Sequence, residues 1–281
     1  MINPQLHRQA VALDSQQHRQ LKVDFPVADW SAAERLNAIF VAATEFADAG
    51  REYPIVFVRA GRSPEGRDLV APVAVLGVLP EQNLYVEAPE GGQGARSWRA
   101  SYKPAVVQAY PFCVGRIDDE RYAVCVDMAW PGVGNDRALP LFEADGQPAQ
   151  VLKAMQQHLE LLESEIRNTR AFGDRLLELD LLRDMRFDAT LPDGRKHTVD
   201  GFLTVEKEKA QNLPDNVVGE LHRNGMLGLV HLHWASLGLM RQLVDWHLQR
   251  QQAAQPPAAA PQTGTEGGQA PAAAPQTGQP S

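Results

Sequence analysis

Residues 51–58 read Arg-Glu-Tyr-Pro-Ile-Val-Phe-Val, and residues 108–115 read Gln-Ala-Tyr-Pro-Phe-Cys-Val-Gly. Each segment places a Tyr-Pro pair directly before a run of apolar residues. Proline cannot continue a helix, and it biases the residue before it towards an extended conformation. A short apolar run rich in β-branched residues is typical of a buried strand. Each segment therefore predicts the end of a helix and the start of a strand.

Both Tyr-Pro pairs follow sequence that predicts a helix. In the first case Ser31 fits the N-cap position and Glu34 the capping-box position, so a helix is expected from there to Gly50. In the second case residues 102–109 predict a short helix, whose first turn tolerates Pro104. The order helix, Tyr-Pro and strand is thus expected twice.

Each predicted strand leads through a polar turn into a returning strand, at residues 69–78 and 122–128. We also expect a third strand in each copy, at residues 83–87 and 139–143. Self-similarity of this kind indicates a repeated structural unit. The alternative is a chance similarity between two hairpins, because little beyond Tyr-Pro is identical.

The segment 147–250 reads as a mostly helical half. Its apolar residues recur at helical spacing in two stripes, and the Glu and Arg residues between them read as the solvated face. A hairpin is expected between strands at 187–191 and 196–205, because Pro192-Asp193-Gly194 is a strong turn signal. Further helices are expected from Pro214-Asp215 to Gly225 and from 226 to 248.

These patterns predict an α+β fold. Its antiparallel sheet is built from two related helix-Tyr-Pro-hairpin units, at residues 31–91 and 98–146, and packs with C-terminal helices. Residues 1–250 form a single domain in this interpretation. Residues 251–281 contain mainly Ala, Pro, Gln, Thr and Gly, which cannot bury enough apolar surface to fold, so we expect a disordered tail.

Composition excludes several classes of protein. The formal net charge of −8 argues against nucleic-acid binding, which needs a basic face. No apolar run approaches the roughly 18 residues of a membrane span. The first residues, Met1-Ile2-Asn3-Pro4-Gln5, lack the basic and apolar regions of a secretory signal, so we expect a cytoplasmic protein. No motif predicts a cofactor.

The chain has two cysteines, Cys113 and Cys125. If the hairpin between them turns at Asp118-Asp119-Glu120, they face each other across two strands. The two interpretations are a pair of buried apolar thiols and a redox pair. Strand pairing decides whether a disulfide can form, since the Cα atoms must lie within about 7 Å.

His231 and His233 form the densest histidine motif and are the candidate metal ligands. Side chains that are two positions apart on a helix point in nearly opposite directions, whereas metal-binding helices place their ligands four positions apart. We therefore predict no metal site here, and expect one histidine in the core, bonded to the backbone, and the other at the surface.

Four aromatic residues are candidate ligand contacts: Tyr53, Trp98, Tyr102 and Tyr110. Aromatic rings in a cleft would hold a peptide or a glycan-like ligand. In the alternative interpretation the rings fill the junction between helices and sheet.

The combination of motifs resembles the SapC family of bacterial proteins over about residues 7–245. It consists of residues 51–57, Tyr110-Pro111-Phe112, Leu139-Pro140-Leu141-Phe142, and residues 221–225 followed by His231-Leu232-His233. The resemblance implies an accessory or binding protein in surface-layer or surface-polymer biology. From the aromatic candidates we expect a protein, peptide or glycan-like partner. The resemblance carries over no catalytic residues. The alternative is an enzyme that modifies a peptide or sugar, with a metal at His231 and His233.

Overall fold

The computed structural model describes residues 2–89, 91–117, 122–134, 138–190 and 196–254. It contains strands and helices in mixed order, and all the strand pairs are antiparallel. The strands are β1 Ala10–Ala12, β2 Lys22–Val23, β3 Ala38–Phe40, β4 Ile55–Arg62, β5 Asp68–Val75, β6 Val86–Glu87, β7 Ser97–Trp98, β8 Phe112–Arg116, β9 Tyr122–Asp127, β10 Leu139–Pro140, β11 Leu182–Thr190 and β12 Lys196–Val205. The helices are α1 Phe46–Ala49, α2 Ala105–Gln108, α3 Gln150–Glu178, α4 Lys207–Gln211, α5 Asp215–Arg223, α6 Met226–Ser236 and α7 Met240–Ala254.

The apolar run after Tyr53-Pro54 forms β4, in the middle of a five-stranded sheet with the order β11-β12-β4-β5-β3. Its register sets Phe57 opposite Pro72 on β5 and opposite Leu203 on β12. Pro72 is accommodated because β3 ends beside it. Its carbonyl still accepts the Val41 N–H at 3.2 Å. The N–H that proline lacks would face the chain just beyond the last residue of β3, so no hydrogen bond between paired strands is lost.

Two helices cover the same region of this sheet. The Phe57 ring lies 5.9 Å from Phe172 on α3 and 5.2 Å from His233 on α6, measured between ring centroids. Helix α3 approaches β5 closely at Gly173, where a Cβ would lie 2.9 Å from the Val70 carbonyl oxygen. The buried core extends as one hydrophobic cluster from Leu6 to Leu243.

The run after Tyr110-Pro111 forms β8, in a separate three-stranded sheet with the order β1-β9-β8. The predicted hairpin of β8 and β9 is confirmed, with Cys113 opposite Cys125. The expectation that both hairpins build one sheet is wrong. The partners differ because each sheet is completed by a segment distant in sequence: β12 pairs with β4, and β1 pairs with β9.

The two Tyr-Pro segments share one local feature. The Pro54 carbonyl accepts the N–H of Val75, and the Pro111 carbonyl accepts the N–H of Asp127, both at 2.9 Å and both at the end of the returning strand. The third strands do not join their hairpins: β6 pairs with β7, and β10 pairs with β2. The internal repeat therefore stays a prediction.

The predicted helix from Ser31 to Gly50 is wrong. This stretch forms two short 3-10 turns, strand β3 and the one-turn helix α1. The edge of β5 pairs with residues 38–40, and Ile39 is buried there as it would be in a helix. Sheet pairing has overridden helical spacing, which is a weak preference.

The C-terminal half agrees more closely with the sequence. The hairpin of β11 and β12 is confirmed, and α5 ends before Gly225, whose φ of +81° favours glycine. The expected final helix is divided, because a 3-10 turn at Leu237–Leu239 separates α6 from α7. Residues 251–254 belong to α7 rather than to the expected tail.

Three sequence predictions lie outside the described residues: the turn at Asp118-Asp119-Glu120, the turn at Pro192-Asp193-Gly194, and residues 255–281 of the tail. Within the described ranges, no helix combines the length and apolarity needed to cross a bilayer.

Candidate functional site

A groove of about 830 Å³ lies between the β8-β9 hairpin and helix α3. Side chains alternate along a strand, so Tyr122 and Val124 share one face of β9, opposite the face that carries Cys125. Together with Val114 on β8 they form an apolar floor, which Phe142 extends at one side. Tyr122 is 48% exposed although it is a large ring, so this floor is open to solvent.

The facing wall is one stripe of α3, at the helical spacing i, i+4, i+7, i+8, i+11 and i+15. The stripe consists of Leu152, Gln156, Leu159, Glu160, Glu163 and Arg167. Its leucines are buried against the floor, and Glu160 and Arg167 are exposed at the rim. The site thus joins an apolar base to a charged edge, which is the usual composition of a ligand pocket.

The charged edge is acidic on balance. Asp14, Glu160 and Glu163 stand against one cation, Arg167, which leaves a net charge of −2 among the charged lining residues. The Asp14 carboxylate accepts the backbone N–H groups of Gln17 at 2.8 Å and Gln16 at 2.9 Å. These bonds lower the pKa of Asp14, so it remains ionised in mildly acidic solution.

Three of the predicted aromatic residues come together: Tyr53 and Trp98 are buried, and Tyr102 is half-buried against the core. The Tyr53 hydroxyl donates to the Tyr102 carbonyl at 2.5 Å and accepts from the Trp98 indole N–H at 2.8 Å. Tyr53 has no exposed surface and Trp98 is 8% exposed. Burial raises the pKa of Tyr53, so its hydroxyl stays protonated as a donor. These rings act as internal braces, and their contact with a ligand stays a prediction.

Tyr110 lies in a different cluster. Its hydroxyl donates to the Asp127 carboxylate at 3.1 Å, and its ring lies 6.0 Å from Trp130 and 5.8 Å from His7. Tyr110 is 1% exposed. The four aromatic residues therefore do not converge on one cleft.

Two carboxylates that the sequence did not single out hold the loop around Tyr102. Glu45 accepts the Tyr102 hydroxyl and the Ala105 N–H, both at 2.7 Å. Glu52 accepts the N–H groups of Ser101 at 2.7 Å and Tyr102 at 2.8 Å. Glu45 also accepts the N–H of Ala42, three residues away, at 2.7 Å. The partners in the loop lie 49–60 residues away in the sequence, so sequence spacing carried no signal for these contacts.

Comparison with known families identifies the chain. A sequence model of the family described as SapC matches residues 13–243, which is most of the chain. The chain belongs to the SapC family. No curated protein and no solved structure matched it. The matched range of this SapC protein contains every groove residue from Leu13 to Arg167.

The histidine pair of the SapC protein separates as the helical spacing predicts. His231 is exposed, and His233 is fully buried. The His233 Nδ1–H donates to the Ile55 carbonyl at 2.7 Å, while Nε2 accepts the Val205 N–H at 3.2 Å. Both ring nitrogens are occupied, so His233 has none to offer a metal ion.

Among the residues with described positions, no group of three or more His, Cys, Asp or Glu could hold a metal ion. Cys113 and Cys125 are both buried free thiols.

The sequence does not reveal the groove, because the positions of Glu160, Glu163 and Arg167 predict a solvated helix face. Only the position of the β8-β9 hairpin turns that face into a wall.

Proposed function

We propose that this SapC protein is an accessory binding protein in bacterial surface-layer or surface-polymer biology, and that it holds an extended peptide in the groove between β8-β9 and α3. The observation that carries the proposal is the groove itself, with its apolar floor and acidic rim. Its volume of about 830 Å³ lies within the usual range for ligand sites, roughly 300–1,000 Å³.

The length of the groove supports a peptide. The wall runs from Leu152 to Arg167 along α3, and at about 1.5 Å per residue this stripe is roughly 22 Å long. An extended chain rises about 3.3 Å per residue, so six or seven residues, roughly, would span it. Alternate side chains would point down to Val114 and Val124, and the others would point to the rim.

The charge of the groove supports a particular kind of peptide. The rim carries three carboxylates and one guanidinium, so a ligand with Lys or Arg beside apolar residues is complementary to it. The buried apolar contacts would supply most of the binding affinity, and the charges at the rim would fix the orientation of the peptide.

Selection from a displayed library of random peptides tests the proposal. A selected peptide is synthesised and titrated by fluorescence anisotropy against the full-length protein. Tyr122→Ala removes the exposed ring of the floor, and we expect affinity to fall about tenfold or more. Leu161→Ala is the matched control, because Leu161 is 67% exposed on α3 but does not line the groove.

Charge reversal provides the second arm. Glu160→Lys should weaken a basic peptide about tenfold at low salt and less at high salt. Glu208→Lys, an exposed carboxylate on α4, should leave the affinity unchanged. Selection of acidic peptides, binding only of oligosaccharides, or equal effects of Tyr122→Ala and Leu161→Ala would contradict the proposal.

The biological role needs a separate test in the native bacterium. We expect deletion of the gene to alter the surface layer or surface polymer in electron micrographs, and Tyr122→Ala to reproduce the defect at normal protein levels. The proposal places the protein in the cytoplasm, and fractionation with an antibody checks that location. An unchanged surface in the deletion strain would contradict the proposed biological role. Peptide binding in the groove would still be tested separately, by the titration.

A further inference from the structure

The two cysteines of the chain are direct neighbours across the β8-β9 hairpin. Cys113 is paired with Cys125 in the register, and no other cysteine occurs in the 281 residues. A buried residue touches roughly 6–12 others, so a second cysteine placed at random would rarely fall opposite the first. Both side chains lie on the face of the hairpin away from the groove.

Strand geometry places the pair within disulfide distance. The Asp127 N–H donates to the Pro111 carbonyl at 2.9 Å, which makes residues 111 and 127 a hydrogen-bonded pair. Such pairs alternate along an antiparallel ladder, so Cys113 and Cys125, two positions further on, are also a hydrogen-bonded pair. Their Cα atoms are then about 5.5 Å apart. Disulfides usually join Cα atoms about 4.4–6.8 Å apart.

Space for the sulfur atoms comes from a glycine. A Cβ at Gly115 would lie 2.7 Å from the Cys125 Sγ, so the glycine gives that sulfur room to lie over the strand. The Cys125 thiol also hydrogen-bonds with the Cys113 side chain, so the two sulfur atoms are already neighbours.

We propose that Cys113 and Cys125 are a redox site that closes to an intramolecular disulfide with a low-molecular-weight disulfide as oxidant. The inference goes beyond the proposed peptide binding and does not rest on it. The Cys125 thiolate attacks one sulfur of the oxidant, which forms a mixed disulfide and releases one small thiolate. Cys113 then loses its proton and attacks the Cys125 sulfur, which releases the second small thiolate. Two protein thiols thus give up two electrons and two protons, and the oxidant is reduced to two thiols.

The two thiols differ in a way that suits these roles. The hydrogen bond between the two thiols lowers the pKa of Cys125 and, together with burial, raises the pKa of Cys113. Cys125 therefore ionises first and is the attacking thiol. Cys113 and Cys125 are only 2% and 5% exposed, so reaction requires local opening of the segment around Ile2, whose side chain lies beside Gly115.

The disulfide would act on the hairpin that forms the groove floor. Val114 and Val124 directly adjoin the cysteines in sequence and point into the groove. A bond between the strands restricts their separation and twist, so oxidation would fix the floor beneath any bound ligand. The readout for this effect is the exchange rate of the β8 and β9 amides.

The experiment uses the full-length protein, refolded from urea in glutathione buffers of increasing oxidised fraction so that burial does not block equilibration. Free thiols are trapped with N-ethylmaleimide in acid, and the products are analysed by mass spectrometry. We expect a monomer that has lost two hydrogen atoms, with a reductant-sensitive cross-link between the peptides of Cys113 and Cys125. The oxidised form should melt roughly 5–10 °C higher and exchange the hairpin amides more slowly.

The single variants Cys113→Ser and Cys125→Ser are the controls. Each should give a free thiol or a glutathione adduct, without the gain in melting temperature. The proposal is overturned if both thiols of the wild type are alkylated at every redox ratio, if glutathione adducts accumulate in place of the internal bond, or if cross-linking occurs only between chains.

Discussion

The burial of His233 predicts a specific loss of stability in acid. Burial lowers the pKa of His233 from 6.5 to about 4. The unfolded chain therefore takes up the proton first, and stability is complete above about pH 6.5 and falls as the pH decreases towards 4. Protonation would place a charge in the core and remove the acceptor of the Val205 N–H. At about pH 4.5 this group alone should have cost about 2.5 kcal/mol relative to about pH 7.5.

Urea denaturation of three proteins at both pH values isolates this effect. His233→Gln keeps an acceptor and a donor but does not titrate, so it should lose about 2.5 kcal/mol less than the wild type on acidification. His231→Gln changes an exposed residue and should behave like the wild type. Equal acid sensitivity of the wild type and His233→Gln would refute the assignment of His233 as a buried neutral ring.

Two further substitutions test the internal packing. Tyr53→Phe leaves a buried indole N–H and a carbonyl without their partner, and should lower the free energy of unfolding by about 2–4 kcal/mol. A loss below about 1 kcal/mol in urea titrations would mean that the hydroxyl is dispensable. Gly173→Ala sets a Cβ 2.9 Å from the Val70 carbonyl oxygen and should destabilise by about 1 kcal/mol after its helix preference is counted. Gly228→Ala, a helical glycine with open space around it, should instead stabilise by up to about 1 kcal/mol, and equal thermal shifts for the two variants would contradict the close approach of α3 to β5.

Local signals in the sequence were sufficient for the hairpins. Tyr53-Pro54 and Tyr110-Pro111 start strands because proline stops a helix and the apolar run behind it must be buried. The partners of those strands could not be predicted, since β12 reaches β4 and β1 reaches β9 across more than a hundred residues. The helix predicted after Ser31 is wrong for the same reason, because residues 38–40 pair with the edge of β5 in spite of their helical spacing.

The site was less predictable than the fold. Tyr53 and Trp98 looked like ligand contacts because aromatic rings with polar atoms suit both clefts and cores. Their hydroxyl and indole groups find partners within the protein, so the rings point inward. For Glu160 the prediction failed in the opposite direction: a solvent-facing side chain was expected, but Glu160 lines the groove. A charged residue on a helix face looks the same in sequence whether it meets water or a second element.

Hydrogen exchange of the full-length protein with and without a selected peptide tests the central claim, that ligands bind in the groove. The account predicts slower exchange in β9 around Tyr122 and Val124 and in α3 between Leu152 and Arg167, and no such protection in Tyr122→Ala at the same peptide concentration. Protection confined to the aromatic cluster around Trp98, with none on α3, would contradict it.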